Sequence, residues 1–415
     1  MGIKGEITFP GDKSISHRAL MFAALAKGES RISNLSTGID VQSTRKCLEA
    51  CGIKISNDRN DVIVKGRKFS DPTEPLDCGN SGTTTRLLLG LLAGQGINAT
   101  FVGDKSLSAR PMNRILEPLF QMGLKCESHD GKLPITIQNS DLNGIQYESS
   151  VASAQVKSAI LLAGLGASGK TSVKEPILSR DHTEKMINGL GVDILIKGLT
   201  ATVSSLSTPF SSFQFSIPGD PSTAAFFAAS AALVPNSEIV LNRVLANPTR
   251  IGFFAALEKM GVGMEFLDQW DEAGEQIGNL KIFHQALNNT PITIDNIPGL
   301  IDEIPIIAIL ATQAEGKMEI RGAEELRIKE CDRIHAICKN LKKMGADIQE
   351  LDDGLIINGP TPLYGVKIET FHDHRIAMAF AIAGLVAHGK MVLDHPECAS
   401  ISFPEFYDEL ERMKQ

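Results

Sequence analysis

A chain of 415 residues is too long for one compact core and is read as at least two domains. Hydrophobic residues at 43% and charged residues at 22% exclude a disordered or fibrous chain. The net charge of -8 excludes a broad nucleic-acid surface, which needs a basic field, so any anion site must be local.

The opening, Met1 to Pro10, has no cationic region followed by an apolar run, and the apolar stretches Ala224 to Val234 and Ile304 to Ala311 are too short to cross a bilayer. A cytoplasmic protein with no membrane or nucleic-acid partner is expected. Seven cysteines without a CxxC pair read as buried free thiols of a reducing compartment. The histidines form neither HExxH nor a Cys/His cluster, so no metal is expected.

Two phrases recur along the chain. In the first, an amphipathic helix closes on a glycine before a strand, at Gly52, Gly123, Gly191, Gly261 and Gly345, with intervals of 71, 68, 70 and 84 residues. In the second, a cap-rich opening leads into a helix that is apolar on nearly all sides, then a turn and a short strand. Its copies open near Asp12, Asn80, Ser153, Asp220, Asp302 and Asp373. A helix without a polar face is a buried helix. Six units of about seventy residues account for nearly the whole chain, and a solenoid period of about 33 to 34 residues does not fit. The predicted fold class is α/β: two similar domains, each of three repeated βαβαββ-type units, helices inside and strands outside. A single large sheet with coincidental spacing is the alternative. The stretch Asp268 to Asn289, which holds the only tryptophan, is predicted to be a surface excursion.

Gly164 to Thr171 satisfies both GxxxxGK[ST] and, through Gly164, Gly166 and Gly169, GxGxxG. Both phosphate-binding mechanisms need a strand before the glycines and a helix after them. The pattern here predicts the reverse order, so these glycines are a helix stop and a turn.

Cations near a helix start oppose its dipole by roughly 0.3 to 1 kcal/mol each. Four buried helices nonetheless carry them: Lys13 and Arg18 beside Ser14 and Ser16, Arg86 after Asn80 and Gly82, Lys157 after Ser153 and Gln155, and Arg375 after Asp373 and His374. A bound anion would make the arrangement favourable again. Asp302 and Glu303 precede a very apolar helix, where a carboxylate is semi-buried and able to act as a base. Neither GxSxG nor a Cys/His constellation is present, which argues against a serine or cysteine nucleophile.

Nine segments taken together resemble the 5-enolpyruvylshikimate-3-phosphate synthase family of enolpyruvyl transferases. They are GDKSISHRA at Gly11, GNSGTTTR at Gly79, SLSARPM at Ser106, ASAQVKSA at Ala152, SRDHTE at Ser179, GDPSTAAFF at Gly219, DEIP at Asp302, KECDR at Lys329 and DHRIAMAF at Asp373. They run in the family's order and span the chain.

The resemblance implies inside-out α/β domains over residues 13–218 and over 1–12 plus 219–415. The first would carry the shikimate 3-phosphate side, and the second the catalytic carboxylates and much of the phosphoenolpyruvate site. It implies transfer of an enolpyruvyl group to the 5-hydroxyl of shikimate 3-phosphate with release of phosphate, on the route to chorismate and the aromatic amino acids. No cofactor is implied, and the chain is expected to be a monomer.

Carried over by motif, Lys13, Ser14, Arg18, Ser153, Ala154, Gln155, Ser179, Arg180, Asp302 and Lys329 would hold shikimate 3-phosphate. Lys13, Asn80, Gly82, Arg86, Arg110, Gln155, Arg333, His374 and Arg375 would hold phosphoenolpyruvate. Asp302 would take the hydroxyl proton and Glu330, helped by Lys329, would protonate the methylene carbon; Lys13 completes the catalytic set. Two departures stand out: Cys331 where members often have Ser or Thr, and Ile401 where some have Lys, a loss that Lys157 or another cation is expected to offset. The rivals are UDP-N-acetylglucosamine enolpyruvyl transferase, whose reactive-cysteine loop has no counterpart around Arg110, and a catalytically silent binding domain of the same fold.

Overall fold

The computed structural model describes residues 2–415. The chain divides into two compact units, one formed by Gly11–Ile217 with Asp271–Glu275 and the other by Met1–Pro10, Pro218–Trp270 and Gln276–Gln415.

In the Gly11–Ile217 unit, the helices Lys13–Leu25, Gly82–Gly94 and Ala154–Gly164 are buried along almost their whole length. In the other unit, Pro221–Leu233, Ile304–Gln313 and His374–Ala383 play the same part. Their burial follows from composition, because a cylinder apolar on all sides can only be covered on all sides. Close approach also needs small residues. A Cβ on Gly90 would lie 2.1 Å from the carbonyl oxygen of Ala159, so only glycine lets the Gly82 and Ala154 helices cross at this distance.

Strands form the outer layer. The strand Leu76–Asp77 pairs in parallel with Ala99–Val102, which pairs antiparallel with Lys132–Gln138 of a hairpin. Gln146–Glu148, Lys170–Lys174 and the hairpin Ile194–Ser204 repeat that topology. So do Gln214–Ser216, Ala26–Ser33 and the hairpin Lys54–Gly66, except that the parallel strand arrives last in sequence. The second unit mirrors this exchange: Lys4–Thr8, from the start of the chain, pairs in parallel with Glu238–Leu245. The final copy is reduced to the two-stranded pair Lys367–Ile368 and Val392–Leu393 before the helix Phe406–Met413.

The glycines Gly52, Gly123, Gly191, Gly261 and Gly345 all have positive φ, between 81° and 102°, as helix stops require. The order at Gly164 to Thr171 is helix then strand, Ala154–Gly164 followed by Lys170–Lys174, which removes the phosphate-loop reading. The stretch from Asp268 to Asn289 corrects the predicted excursion. It continues the strand Gly263–Glu272, turns at Ala273 and Gly274, both at positive φ, and returns as Glu275–Phe283 between its hairpin partner and Glu238–Leu245. Near-alternation of buried and half-buried residues along Glu275–Phe283 explains why no helix-like pattern was visible there.

Cys47, Cys51, Cys78, Cys338 and Cys398 are buried free thiols, whereas Cys126 and Cys331 are half-buried. No helix among the described residues is long and apolar enough to cross a membrane.

Candidate active site

In the Gly11–Ile217 unit the starts of the three buried helices gather the predicted cations. Asp12 caps the first helix by accepting from the Ile15 N–H at 2.8 Å, and Lys13 pairs with Asp40 at 3.1 Å. Arg18 faces inward, only 3% exposed, and donates to Thr183 Oγ1 and Ser158 Oγ, both at 2.7 Å, and to the Ser14 carbonyl at 2.9 Å. Burial pulls its guanidinium down to about 10 while Glu184 and Asp12 oppose the fall, so it stays charged near neutrality.

The second and third helix starts are tied together. Arg86 donates to Gln155 Oε1 at 2.6 Å, and Gln155 Nε2 donates to Thr83 Oγ1 at 2.9 Å. Arg110 donates to Asn80 Oδ1 at 2.7 Å, and Asn80 passes a hydrogen bond to Asp104 at 2.8 Å. The helix cap is Ser81, accepting from the Thr84 N–H. A Cβ on Gly82 would stand 2.8 Å from Arg86 Nη1, so this glycine gives the guanidinium its room.

Lys157 departs from expectation. Its ammonium is 2% exposed and pairs with Glu175 at 2.6 Å and Glu184 at 2.7 Å. Burial lowers its affinity for a proton, but Glu184 and Glu175 more than restore it; Glu184 itself is raised, because burial exceeds what one shared ammonium returns. Lys157 is thus held by two buried carboxylates; Ile401 lies half-buried in the turn Pro396–Ile401. Ser179 is committed in the same way, donating to Glu175 Oε1 at 2.5 Å. Ser153 caps its helix, while Ala154 and Arg180 lie half-buried at that end of the unit.

The other unit holds a second cluster. Asp302 sits in the short turn Ile301–Glu303 that leads into a buried helix, its side chain 16% exposed. Three cations surround its carboxylate: Arg333 at 3.4 Å, and Lys329 and Arg375 at 3.9 Å. Arg333, only 1% exposed, also donates to Asp373 Oδ2 at 2.8 Å and to Glu330 Oε2 at 2.5 Å. Burial works against its charge, yet Asp373, Glu330 and Asp302 together push its proton affinity up. Asp373 is fully buried, which alone would raise it; Arg333, then His374, hold it below the usual carboxylate range, and it caps its helix by accepting from the Arg375 and Ile376 N–H groups. Cys331 Sγ donates to Asp373 Oδ2 at 3.7 Å, a weaker donor than a hydroxyl. Sequence reasoning missed the acidic partners Asp40, Glu175 and Glu184 and the buried Arg250, which nothing in local periodicity distinguishes from surface charge.

A fold of buried helices wrapped by short mixed sheets, with cations and carboxylates gathered at the helix starts, defines a helices-inside α/β enzyme suited to anionic substrates. Comparison with known proteins makes the class particular. Residues 1–410 match the family described as EPSP synthase (3-phosphoshikimate 1-carboxyvinyltransferase), and the chain belongs to that family. A 3-phosphoshikimate 1-carboxyvinyltransferase of Thermodesulfovibrio yellowstonii is 47% identical, covering 100% of this chain and 98% of its own length. The protein of that name from Brevibacillus brevis is 46% identical over 100% of this chain and 98% of its own. Among solved structures, an EPSP synthase from Acinetobacter baumannii superposes with a TM-score of 0.90 at 39% identity, covering 99% of this chain and 96% of that one.

Proposed function

We propose that this chain transfers the enolpyruvyl group of phosphoenolpyruvate to the 5-hydroxyl of shikimate 3-phosphate and releases phosphate, acting as a cytoplasmic monomer without a cofactor. The observation that carries the reading is Asp302: a partly exposed carboxylate ringed by Lys329, Arg333 and Arg375. Such a group is placed to accept a hydroxyl proton while the cations hold an adjoining anion.

In the addition step Asp302 takes the 5-hydroxyl proton, the oxygen bonds to the central carbon of phosphoenolpyruvate, and Glu330 delivers a proton to the methylene carbon, assisted by Lys329. Elimination reverses the proton movement: a proton leaves the new methyl group, the carbon–phosphate oxygen bond breaks, and phosphate departs. The arginines stabilise the charge on that leaving group.

Shikimate 3-phosphate is assigned to Lys13, Ser14, Arg18, Ser153, Ala154, Gln155, Ser179 and Arg180, with Asp302 and Lys329. Of these, Ser179 is held by Glu175 through both its hydroxyl and its backbone N–H. Phosphoenolpyruvate is assigned to Asn80, Gly82, Arg86, Arg110, Arg333, His374 and Arg375, with Lys13 and Gln155 beside both substrates. Residues 13–218 thus carry the shikimate 3-phosphate side, and residues 1–12 plus 219–415 the catalytic carboxylates.

Phosphate release from phosphoenolpyruvate is measured with shikimate 3-phosphate as acceptor and separately with UDP-N-acetylglucosamine. Release with the first alone is expected; release with the second alone identifies the rival transferase, and release with neither sinks the enzymatic reading. Asp302→Ala removes one of several contacts to shikimate 3-phosphate, so it is expected to leave binding largely intact and to slow turnover by a factor on the order of 100 to 10,000, the usual worth of a positioned acid or base. Size-exclusion chromatography with light scattering checks the monomer.

A further inference from the structure

Glu303, next to the candidate base, is 1% exposed, and its two carboxylate oxygens have different surroundings. Oε1 faces two guanidinium groups, Arg375 Nη1 at 3.5 Å and Arg250 Nη1 at 3.8 Å, whereas Oε2 has no hydrogen-bond partner among the described residues. Burying a carboxylate this deep is costly without fixed opposite charge beside it.

Arg250 supplies it. It is 3% exposed and is fastened at Nη2 to Asp220 Oδ1 at 3.0 Å and to Ser222 Oγ at 2.8 Å, at the start of the helix Pro221–Leu233. Arg375 is the less confined of the two, its side chain 10% exposed, and it also donates to the Asp302 carbonyl at 3.1 Å.

We infer that Arg250 is a positioning residue that acts through the buried Glu303 to hold Arg375 in place for phosphoenolpyruvate. This rests on the assignment of Arg375 to that substrate. With Arg250 present, Glu303 is already compensated, and its loose contact orients Arg375 without neutralising it. With Arg250 removed, Glu303 turns to Arg375 for its counter-charge and withdraws it from the substrate. Removing the Glu303 charge as well releases Arg375 again. The sign of that second effect separates positioning from simple structural damage.

The test is a double-mutant cycle on the full chain, Arg250→Met, Glu303→Gln and the pair, with Arg375→Lys as a reference, reading kcat and both KM values. Arg250→Met is expected to raise KM for phosphoenolpyruvate at least about tenfold, with KM for shikimate 3-phosphate within about threefold of the parent; the double variant is expected to return to within about threefold. If Arg250→Met does not fold by circular dichroism, Arg250→Lys enters the same cycle, because an ammonium lacks the fork that spans Asp220 and Glu303. An unchanged KM in the folded single variant, or a double variant no better than Arg250→Met, overturns the inference while Arg375→Lys still weakens phosphoenolpyruvate binding. An Arg375→Lys enzyme with unaltered KM removes Arg375 from the anion site and takes the inference with it.

Discussion

Replacing Lys157 by Met preserves most of the side chain's volume and removes only its charge. Two carboxylates, Glu175 and Glu184, then lose the ammonium that stands 2.6 and 2.7 Å from them, at sites 1% and 7% exposed. Breaking a buried pair in this way costs about 3 to 5 kcal/mol. For a folding unit of about 150 to 250 residues, each kcal/mol is worth roughly 2 to 4 °C, so the melting temperature should fall by about 6 to 20 °C. The loss carries a pH signature. Burial already raises Glu184 above its ordinary 4.5, and losing Lys157 raises it further. A carboxyl raised in the folded state favours folding while it is protonated and loses that contribution as pH rises through its folded value. The deficit should therefore be larger at pH 8 than at pH 5, read by calorimetry at both. A deficit below about 1 kcal/mol, or one that grows toward acid, would refute the assignment of Lys157 to a structural role.

Three further outcomes follow from other buried contacts. Gly90→Val drives a side chain against the Ala159 carbonyl and should cost about 1 to 3 kcal/mol or more, seen as a lower melting temperature; parental stability would mean the helices can separate freely. His17 is fully buried and its ring is pushed down to about 3 by burial, with Lys13 and Arg18 adding to the fall against Asp40. Its contribution is complete above 6.5 and is lost as pH drops toward 3, so His17→Gln should flatten the acid limb of a stability profile by a few kcal/mol; a profile parallel to the parent's would count against it. Arg18→Lys abandons the fork to Thr183 and Ser158, and kcat/KM for shikimate 3-phosphate should drop about 10- to 100-fold, with steady-state kinetics at saturating phosphoenolpyruvate as the check.

Much of the site was legible because its residues sit at a fixed place in a repeated unit. Arg18, Arg86 and Arg375 were visible as cations at helix starts where the dipole disfavours them, and Asp302 as a carboxylate before an apolar helix. Lys157 carried the same local signal and means something else. What distinguishes it is Glu175 and Glu184, eighteen and twenty-seven residues further on, which only folding brings to its ammonium. Arg250 was hidden for the same reason, and Glu303 was visible only as a carboxylate before an apolar helix: that one of its oxygens faces both Arg250 and Arg375 is a relation among three distant positions.

The six buried helices and the glycine stops between units are legible in residue type and spacing, which act within a few turns of chain, and the family in the motifs they carry. Folding sets which carboxylates each cation meets, as Lys157 meets Glu175 and Glu184. It also decided that Lys4–Thr8 pairs with Glu238–Leu245 and that Glu275–Phe283 is an inner strand rather than an excursion. Those outcomes depend on strand pairing and charge compensation between segments far apart in the chain, and no local pattern records which partner each will find.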